Sequence, residues 1–168
     1  MMTKEIAYNE YAKQAIEQLS KGAFLTTTHN GKTNTMTIGW GNIGFAWGKP
    51  LFTVMVRPSR YTYELIEKSG EFTVSIPLNP MQQALGICGS KSGRDIDKFA
   101  AAGLAVLPGQ KIATPVIKGC GLHFECKIIY KQEMNPSQLE KSLNEKCYGS
   151  GDYHTFYAGE ILSCYMEE

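Results

Sequence analysis

Two kinds of hydrophobic spacing follow one another along the chain. Residues 8–20 carry Tyr, Ala, Ile and Leu side chains three and four positions apart, which predicts an amphipathic helix that ends at Lys21-Gly22. Ala23–Thr28 and Thr33–Ile38 are instead rich in residues that favour strands. They enclose Asn30-Gly31, a dipeptide typical of two-residue hairpin turns because both residues tolerate a positive φ. The pattern therefore predicts a helix followed by a β-hairpin.

More short strands and helices are predicted beyond the hairpin. The strands are Ile43–Trp47, Leu51–Arg57, Phe72–Ile76, Leu122–Tyr130 and Thr155–Cys164. The helices are Tyr61–Lys68, Met81–Ile87 and Asp95–Ala101, and the polar segment 134–150 is helical in part. Many short strands with hairpin turns and a few peripheral helices indicate a mainly β fold, a closed or partly closed antiparallel barrel.

Length and charge restrict the class of protein. The chain has 168 residues, which predicts a single domain spanning 1–168. Lys and Arg number 17 against 16 Asp and Glu, so the net charge is +1 and a nucleic-acid-binding surface is not expected. No segment approaches the roughly 20 apolar residues that span a bilayer, and the N-terminal residues lack a signal-peptide run. We therefore expect a cytoplasmic protein without a membrane partner.

The cysteines favour neither disulfides nor a metal centre. There are five, an odd number without a CxxC pair, which argues against a secreted disulfide framework. Cys120, His123 and Cys126 lie close in sequence, but on a strand the two thiols share one face and the histidine points to the other. No fourth ligand stands at zinc spacing, so no metal site is predicted.

Two segments carry groups suited to a phosphate. In the first, where a strand ends and a helix begins, helical N–H groups and the helix dipole favour an anion. Its side chains with donors for a phosphate are Arg57, Ser59, Arg60 and Thr62. A capped helix with two solvated arginines would explain this segment equally well.

The second segment, Gly86–Asp95, places Ser90, Lys91 and Ser92 between glycines, immediately before a helix. Backbone nests of this kind bind phosphate, with a lysine as a point charge. The Walker A spacing is absent, so hydrolysis of nucleoside triphosphates is not predicted. Taken alone, the segment is better explained as an ordinary loop between helices.

A third segment is suited to a flat ring. Residues 34–41 alternate polar side chains on a strand and end in a tryptophan between two glycines. The candidate residues are Asn34, Thr35, Met36, Thr37, Ile38 and Trp40. A half-buried edge strand with a bulge at the glycines would have the same pattern.

The combination of segments is more informative than any one of them. The informative segments are Asn34–Trp40, Arg57–Tyr63, Ser90–Phe99, Cys120–Cys126 and Gly151–Glu160. In this order they resemble the flavin reductase-like family, the FMN-binding split barrels, and in particular its flavoredoxin-like branch. The resemblance covers nearly the whole chain.

The resemblance implies a fold, a cofactor and a set of contacts. The fold would be a six-stranded antiparallel Greek-key split barrel with peripheral helices, forming a homodimer with FMN near the subunit interface. The residues from Asn34 to Ile38 and Trp40 would meet the isoalloxazine ring. Arg57, Ser59, Arg60 and Thr62 would meet the ribityl chain and phosphate, together with Ser90, Lys91 and Ser92. His154 and His123 are the candidate catalytic residues, although each could equally be a structural histidine near a strand.

By the same resemblance, the activity would be an FMN-dependent oxidoreductase of the flavin reductase type. NAD(P)H would be the electron donor, and free flavin, a ferric complex or another small molecule the acceptor. Two alternatives remain open: an FMN-holding electron carrier that does not turn over NAD(P)H, and an enzyme like pyridoxamine-phosphate oxidase. No dinucleotide fingerprint, which is a GxGxxG that follows a strand and opens a helix, is predicted to decide between them.

Overall fold

An eight-stranded antiparallel sheet is the main element of the computed structural model, which describes residues 2–168. In chain order the elements are β1 (Thr3–Glu5), α1 (Ala12–Leu19), β2 (Ala23–His29), β3 (Lys32–Ile38), β4 (Gly41–Ala46), β5 (Lys49–Val56), α2 (Tyr61–Ser69), β6 (Glu71–Pro77), α3 (Gln82–Ser90), α4 (Lys98–Ala102), β7 (Val106–Leu107), β8 (Val116–Ile117), β9 (Gly121–Glu133), a 3-10 turn (Pro136–Gln138), α5 (Lys141–Tyr148) and β10 (Thr155–Glu167).

The order of the strands explains where the barrel is open. Neighbouring strands run β3-β2-β6-β9-β10-β5-β4, with β1 added beside β10. β3 and β4 are therefore the two ends of the path, although only Gly39 and Trp40 separate them in sequence. An end strand keeps one row of backbone N–H and C=O groups outside the ladder. The edge of β3 is thus available to a ligand.

The predicted hairpin is confirmed. β2 and β3 pair in register from Ala23 opposite Ile38 to His29 opposite Lys32. Asn30 and Gly31 form the turn with φ values of 48° and 74°, the left-handed region that this dipeptide adopts most readily.

Three sequence predictions need correction. The main sheet has eight strands rather than six, because the short β1 pairs with the end of β10 and a seventh long strand completes the path. Helix α1 begins only at Ala12, and its Ile16 is 53% exposed rather than buried. Helix α4 begins at Lys98, because the carboxylate of Asp97 rather than Asp95 accepts the first backbone N–H bonds, from Phe99 and Ala100.

The core fills the inside of the barrel. Apolar side chains from alternate positions of β5, β6 and β9 meet there, among them Phe52, Phe72 and Phe124, which are fully buried. The rings of Phe52 and Phe124 pack edge to face with centroids 5.2 Å apart. A second apolar cluster holds α3 against β2, around Phe24, Leu85 and Cys88. This cluster fixes the position of the loop that follows α3.

Within residues 2–168, no helix combines the length and the apolar character needed to cross a membrane.

Candidate functional site

A cavity of about 320 Å³ lies between the edge of β3, the N-terminus of α2 and the loop after α3. This volume is in the range of small-molecule sites. The residues that line it are Asn34, Met36, Thr37, Ile38, Gly39, Trp40, Met55, Arg57, Ser59, Arg60, Tyr61, Thr62, Cys88, Gly89, Ser90, Lys91, Ser92, Gly93, Arg94, Lys98 and His154. We refer to it as the main pocket. It brings together the three predicted segments.

All the predicted cofactor-binding residues line the main pocket except Thr35. The side chain of Thr35 is fully buried, and its hydroxyl bonds to that of Thr26 on the neighbouring strand. Thr37 lies on the same face of β3 and does line the pocket, so this contact with β2, and not strand alternation, keeps the Thr35 side chain out of the pocket. Thr35 nevertheless contributes its backbone carbonyl, which accepts a hydrogen bond of 3.0 Å from Lys98 Nζ.

One end of the main pocket is cationic. Arg60 and Lys91 are exposed there, and their side chains form no hydrogen bond or ion pair with any residue of the described range 2–168. Ser90 and Ser92 lie on the same loop, and the hydroxyl of Ser92 accepts the backbone N–H of Arg94 at 3.2 Å. Two free cations and short hydroxyls beside a helix N-terminus are suited to a phosphate.

Arg57 and Ser59 line the same pocket but are engaged with protein groups. The guanidinium of Arg57 donates to the carbonyl oxygens of Asp152 and Cys147 at 3.0 and 2.9 Å, and lies 4.7 Å from the centre of the Tyr148 ring. The hydroxyl of Ser59 donates to the Asp152 carboxylate at 2.6 Å. These contacts hold α5 and the start of β10 against the end of β5. Arg57 therefore has a structural role that the sequence pattern did not reveal.

The other end of the main pocket is aromatic. Trp40 is 49% exposed, and its ring lies 5.3 Å from that of His154. His154 Nδ1 is 2.6 Å from the hydroxyl of Tyr148 on α5. Burial of the imidazole, and next the nearby charge of Arg57, lower the pKa of His154 to about 4. His154 is therefore neutral at pH 7.

His123 does not reach the main pocket. Its ring is fully buried on β9, where Nδ1 lies 3.0 Å from the Ser75 hydroxyl and Nε2 lies 2.6 Å from the Glu167 carboxylate. The same carboxylate accepts the backbone N–H of Gly119. Because the ring is fully buried and both of its nitrogens contact protein groups, the contacts are those of a structural histidine.

Lys98 lines the main pocket but was not predicted from the sequence. Only 5% of it is exposed, and its ammonium donates to the carbonyl oxygens of Cys88 and Thr35 at 2.8 and 3.0 Å. Burial lowers the pKa of this ammonium, and the charge of Arg60 lowers it further. A lysine at the start of a short helix looks solvated in sequence, so only the packing of α4 against β3 reveals it. The other pocket residues not predicted are Gly39, Met55, Tyr61, Cys88, Gly89, Gly93 and Arg94.

The residues present fit a flat, anionic ligand such as FMN. The cationic end matches a phosphate, and the edge of β3 offers backbone groups to the rim of a ring. Two glycines keep the loop close to this strand: a Cβ at Gly93 would overlap the amide oxygen of Asn34, and one at Gly89 would lie 3.3 Å from Thr37 Cβ. Asn34 in turn donates from Nδ2 to the Thr62 hydroxyl at 2.8 Å. The loop, β3 and α2 thus form one cradle.

The segment 134–150 is partly helical, as predicted, and Tyr148 of its helix α5 contacts the pocket residue His154. Tyr148 also stacks on Tyr153, with ring centroids 4.9 Å apart. The helix thus lies beside the aromatic end of the pocket.

Comparison with known proteins points to one family. The model of the flavin reductase like domain matches residues 17–168. An uncharacterized protein of Archaeoglobus fulgidus is 30% identical over 131 residues, which are 78% of this chain and 64% of the relative. The chain thus spans less than two thirds of the length of this curated relative.

Solved structures give the same result. A flavoredoxin of Methanosarcina acetivorans is 30% identical with a TM-score of 0.70, covering 88% of this chain and 68% of its own. The flavoredoxin of Desulfovibrio vulgaris (Miyazaki F) is 27% identical with a TM-score of 0.68, covering 88% and 69%. A Shewanella frigidimarina protein with a split barrel domain, described as a putative flavin reductase, has a TM-score of 0.70 at 19% identity, covering 95% and 75%. This last likeness concerns the fold alone and confirms the predicted fold class.

Proposed function

Since this chain belongs to the flavin reductase-like family, on its flavoredoxin-like branch, we propose that it is an FMN-binding oxidoreductase. In this proposal it takes electrons from NAD(P)H and passes them to free flavin, a ferric complex or another small acceptor. The observation that carries the proposal is the main pocket, where a cationic end and an aromatic end lie on either side of a free strand edge.

The residues have distinct tasks in this proposal. Arg60 and Lys91 bind the phosphate, assisted by Ser90, Ser92 and the first N–H groups of α2. The backbone edge of β3 bonds to the rim of the isoalloxazine, and Trp40 packs at its end. Arg57 acts indirectly, because it holds α5 and His154 in place.

When bound, FMN supplies the redox chemistry, accepting a hydride from the nicotinamide and releasing the electrons to the acceptor. The chain positions the ring and keeps one face accessible. No side-chain nucleophile is required for this reaction.

The test is anaerobic reduction of the FMN-loaded protein. We expect NADH or NADPH to bleach the flavin absorbance, and Lys91→Ala and Arg60→Ala to weaken FMN binding by about 10- to 100-fold each, since each removes a charge-assisted contact. Lys13→Ala, which removes a cation from the exposed face of α1, is the matched control and should bind FMN normally. A flavin that stays oxidised with both nucleotides would contradict the reductase activity.

The flavoredoxin relatives favour a second candidate, an FMN-holding electron carrier that does not react with NAD(P)H. Turnover with added free FMN distinguishes the two. A reductase consumes NAD(P)H in many cycles, whereas a carrier exchanges electrons only with a reduced partner.

We also propose that the functional unit is a homodimer. On the outer face of β5, β9 and β10 lies an apolar groove of about 480 Å³ with Trp47, Tyr130, Phe156 and Leu139 in its lining. Trp47 is 65% exposed and its ring lies 5.8 Å from that of Tyr130, so this aromatic part of the lining faces solvent. An exposed apolar groove of this kind is a surface that a second copy of the chain can cover about a two-fold axis. Phe156 pairs with Met55 of the main pocket, so a second copy would reach the pocket rim.

A further inference from the structure

We propose that Tyr148 positions His154, fixing its imidazole in the tautomer that carries the proton on Nε2 and donates it as a hydrogen bond into the main pocket. The inference rests on the proposed function, because the acceptor it assigns is a carbonyl oxygen or ring nitrogen of the isoalloxazine. In this inference the candidate catalytic residue His154 acts as a neutral hydrogen-bond donor.

The direction of the hydrogen bond follows from burial. Tyr148 is 5% exposed, and its hydroxyl lies 2.6 Å from His154 Nδ1. Within residues 2–168 this hydroxyl has no second acceptor. A buried hydroxyl proton without an acceptor costs about 1–3 kcal/mol, so Tyr148 donates and Nδ1 accepts. The single proton of the neutral imidazole is then on Nε2.

The position of the ring directs Nε2 into the main pocket. Nδ1 and Nε2 lie on different sides of the imidazole, and Nδ1 faces α5. His154 lines the pocket beside Trp40, and no described residue bonds to Nε2. The free N–H therefore faces the aromatic end, where the proposed function places the flavin ring.

The surrounding charges keep the ring neutral. Burial, Arg57 at the end of β5 and Arg60 before α2 oppose protonation of the imidazole. Asp152, in the turn before β10, favours protonation, but its effect is smaller than that of burial or of Arg57. Tyr148 is itself neutral, because burial raises the pKa of its hydroxyl. A neutral donor with fixed orientation needs no proton exchange with solvent, so its hydrogen bond should not change between about pH 5.5 and 8.

The protein has three histidines, so nitrogen NMR can follow each ring in ¹⁵N-histidine-labelled protein. The apo protein is measured first, with His154→Gln to assign the signals. We expect the Nε2–H pattern for His154 down to about pH 5, because its pKa is about 4. In Tyr148→Phe we expect a mixture of tautomers. Tyr153→Phe is the matched control: Tyr153 stacks on Tyr148, but its hydroxyl donates to Asn144 at 2.8 Å, so the histidine signals should not change.

Binding of FMN provides the second readout. We expect Tyr148→Phe and His154→Gln to weaken FMN about 3- to 10-fold, the loss of one hydrogen bond, and Tyr153→Phe to bind normally. An Nδ1–H tautomer in the wild type, or an unchanged tautomer in Tyr148→Phe, would overturn the inference. Equal FMN affinity in wild type, Tyr148→Phe and His154→Gln would overturn the assigned acceptor. A wild type that binds no FMN would instead refute the proposed function, while the apo spectra would still decide the tautomer.

Discussion

At the scale of single residues, similar side chains in the main pocket have different tasks. Arg57 and Arg60 are three positions apart at the same strand end, yet Arg57 bonds to two backbone carbonyls and Arg60 stays free. Lys91 and Lys98 differ in the same way, since Lys98 is buried on carbonyl oxygens and Lys91 is exposed. Charge pattern alone predicts all four as solvated or phosphate-binding. Their division of tasks depends on neighbours that are distant in sequence.

Gly93 gives a prediction at this scale. A Cβ at this position would overlap Asn34 Oδ1 and lie 3.0 Å from Tyr61 Cδ1, so Gly93→Ala must displace either the Asn34 side chain, which bonds to Thr62, or the loop itself. We expect a loss of about 1–3 kcal/mol in the free energy of unfolding and weaker FMN binding, measured by urea denaturation and flavin fluorescence.

The matched control is Gly86→Ala in α3. No heavy atom lies within 4 Å of its added Cβ, and alanine favours a helix, so we expect unchanged or slightly higher stability. Equal effects of the two substitutions would show that the close approach of Gly93 to Asn34 is unimportant.

At the scale of elements, the end of β10 is tied to the start of β9 by a buried carboxylate. Glu167 Oε1 lies 2.6 Å from His123 Nε2 and accepts the backbone N–H of Gly119 at 2.9 Å. Burial by itself raises the pKa of Glu167, but the hydrogen bonds from His123 and Gly119 lower it more, so it lies below its ordinary value. These contacts favour the ionised form only in the folded protein.

The resulting prediction concerns pH. Because the folded pKa is below the unfolded one, the stabilisation by Glu167 is complete above about pH 4.5 and is lost as the pH falls through the folded pKa. We expect Glu167→Gln to lose about 1–3 kcal/mol at pH 7 and to depend less on pH between about 3 and 5, measured by urea denaturation.

Glu168→Gln, one residue further and exposed, is the control and should behave as the wild type. If Glu167→Gln kept the full acid sensitivity of the wild type, this carboxylate would not be its source.

Some helices and strands could be predicted from the local sequence, and some of their boundaries could not. The hairpin at Asn30-Gly31 and the long strands β5, β9 and β10 were predictable because turn chemistry and strand preference act within a few residues. The first residue of α4 was missed because Asp95 and Asp97 are equally good caps in sequence, and the packing of Lys98 selects the second.

At the scale of the whole molecule, the outer groove yields the prediction of a dimer. We expect the wild type to sediment as a dimer and Trp47→Ser to dissociate at least about 30-fold more easily, because a buried tryptophan at an interface commonly contributes 2 kcal/mol or more. Ile16→Ser is the control, since Ile16 is also exposed but lies on α1. A monomeric wild type, or identical dissociation of both variants, would contradict the proposed dimer.

The sequence by itself determined the mainly β class, the hairpin, the family and most of the pocket residues, because these depend on local preference and on motifs in a fixed order. Only the tertiary structure decided which of those residues are free to bind. It buries His123 against Ser75 and Glu167, joins Arg57 to α5, keeps the Thr35 hydroxyl on Thr26 and places Tyr148 on His154. The reason is physical. A side chain's hydrogen-bond partners and burial depend on strands and helices far away in the chain, so the local sequence pattern cannot predict these contacts.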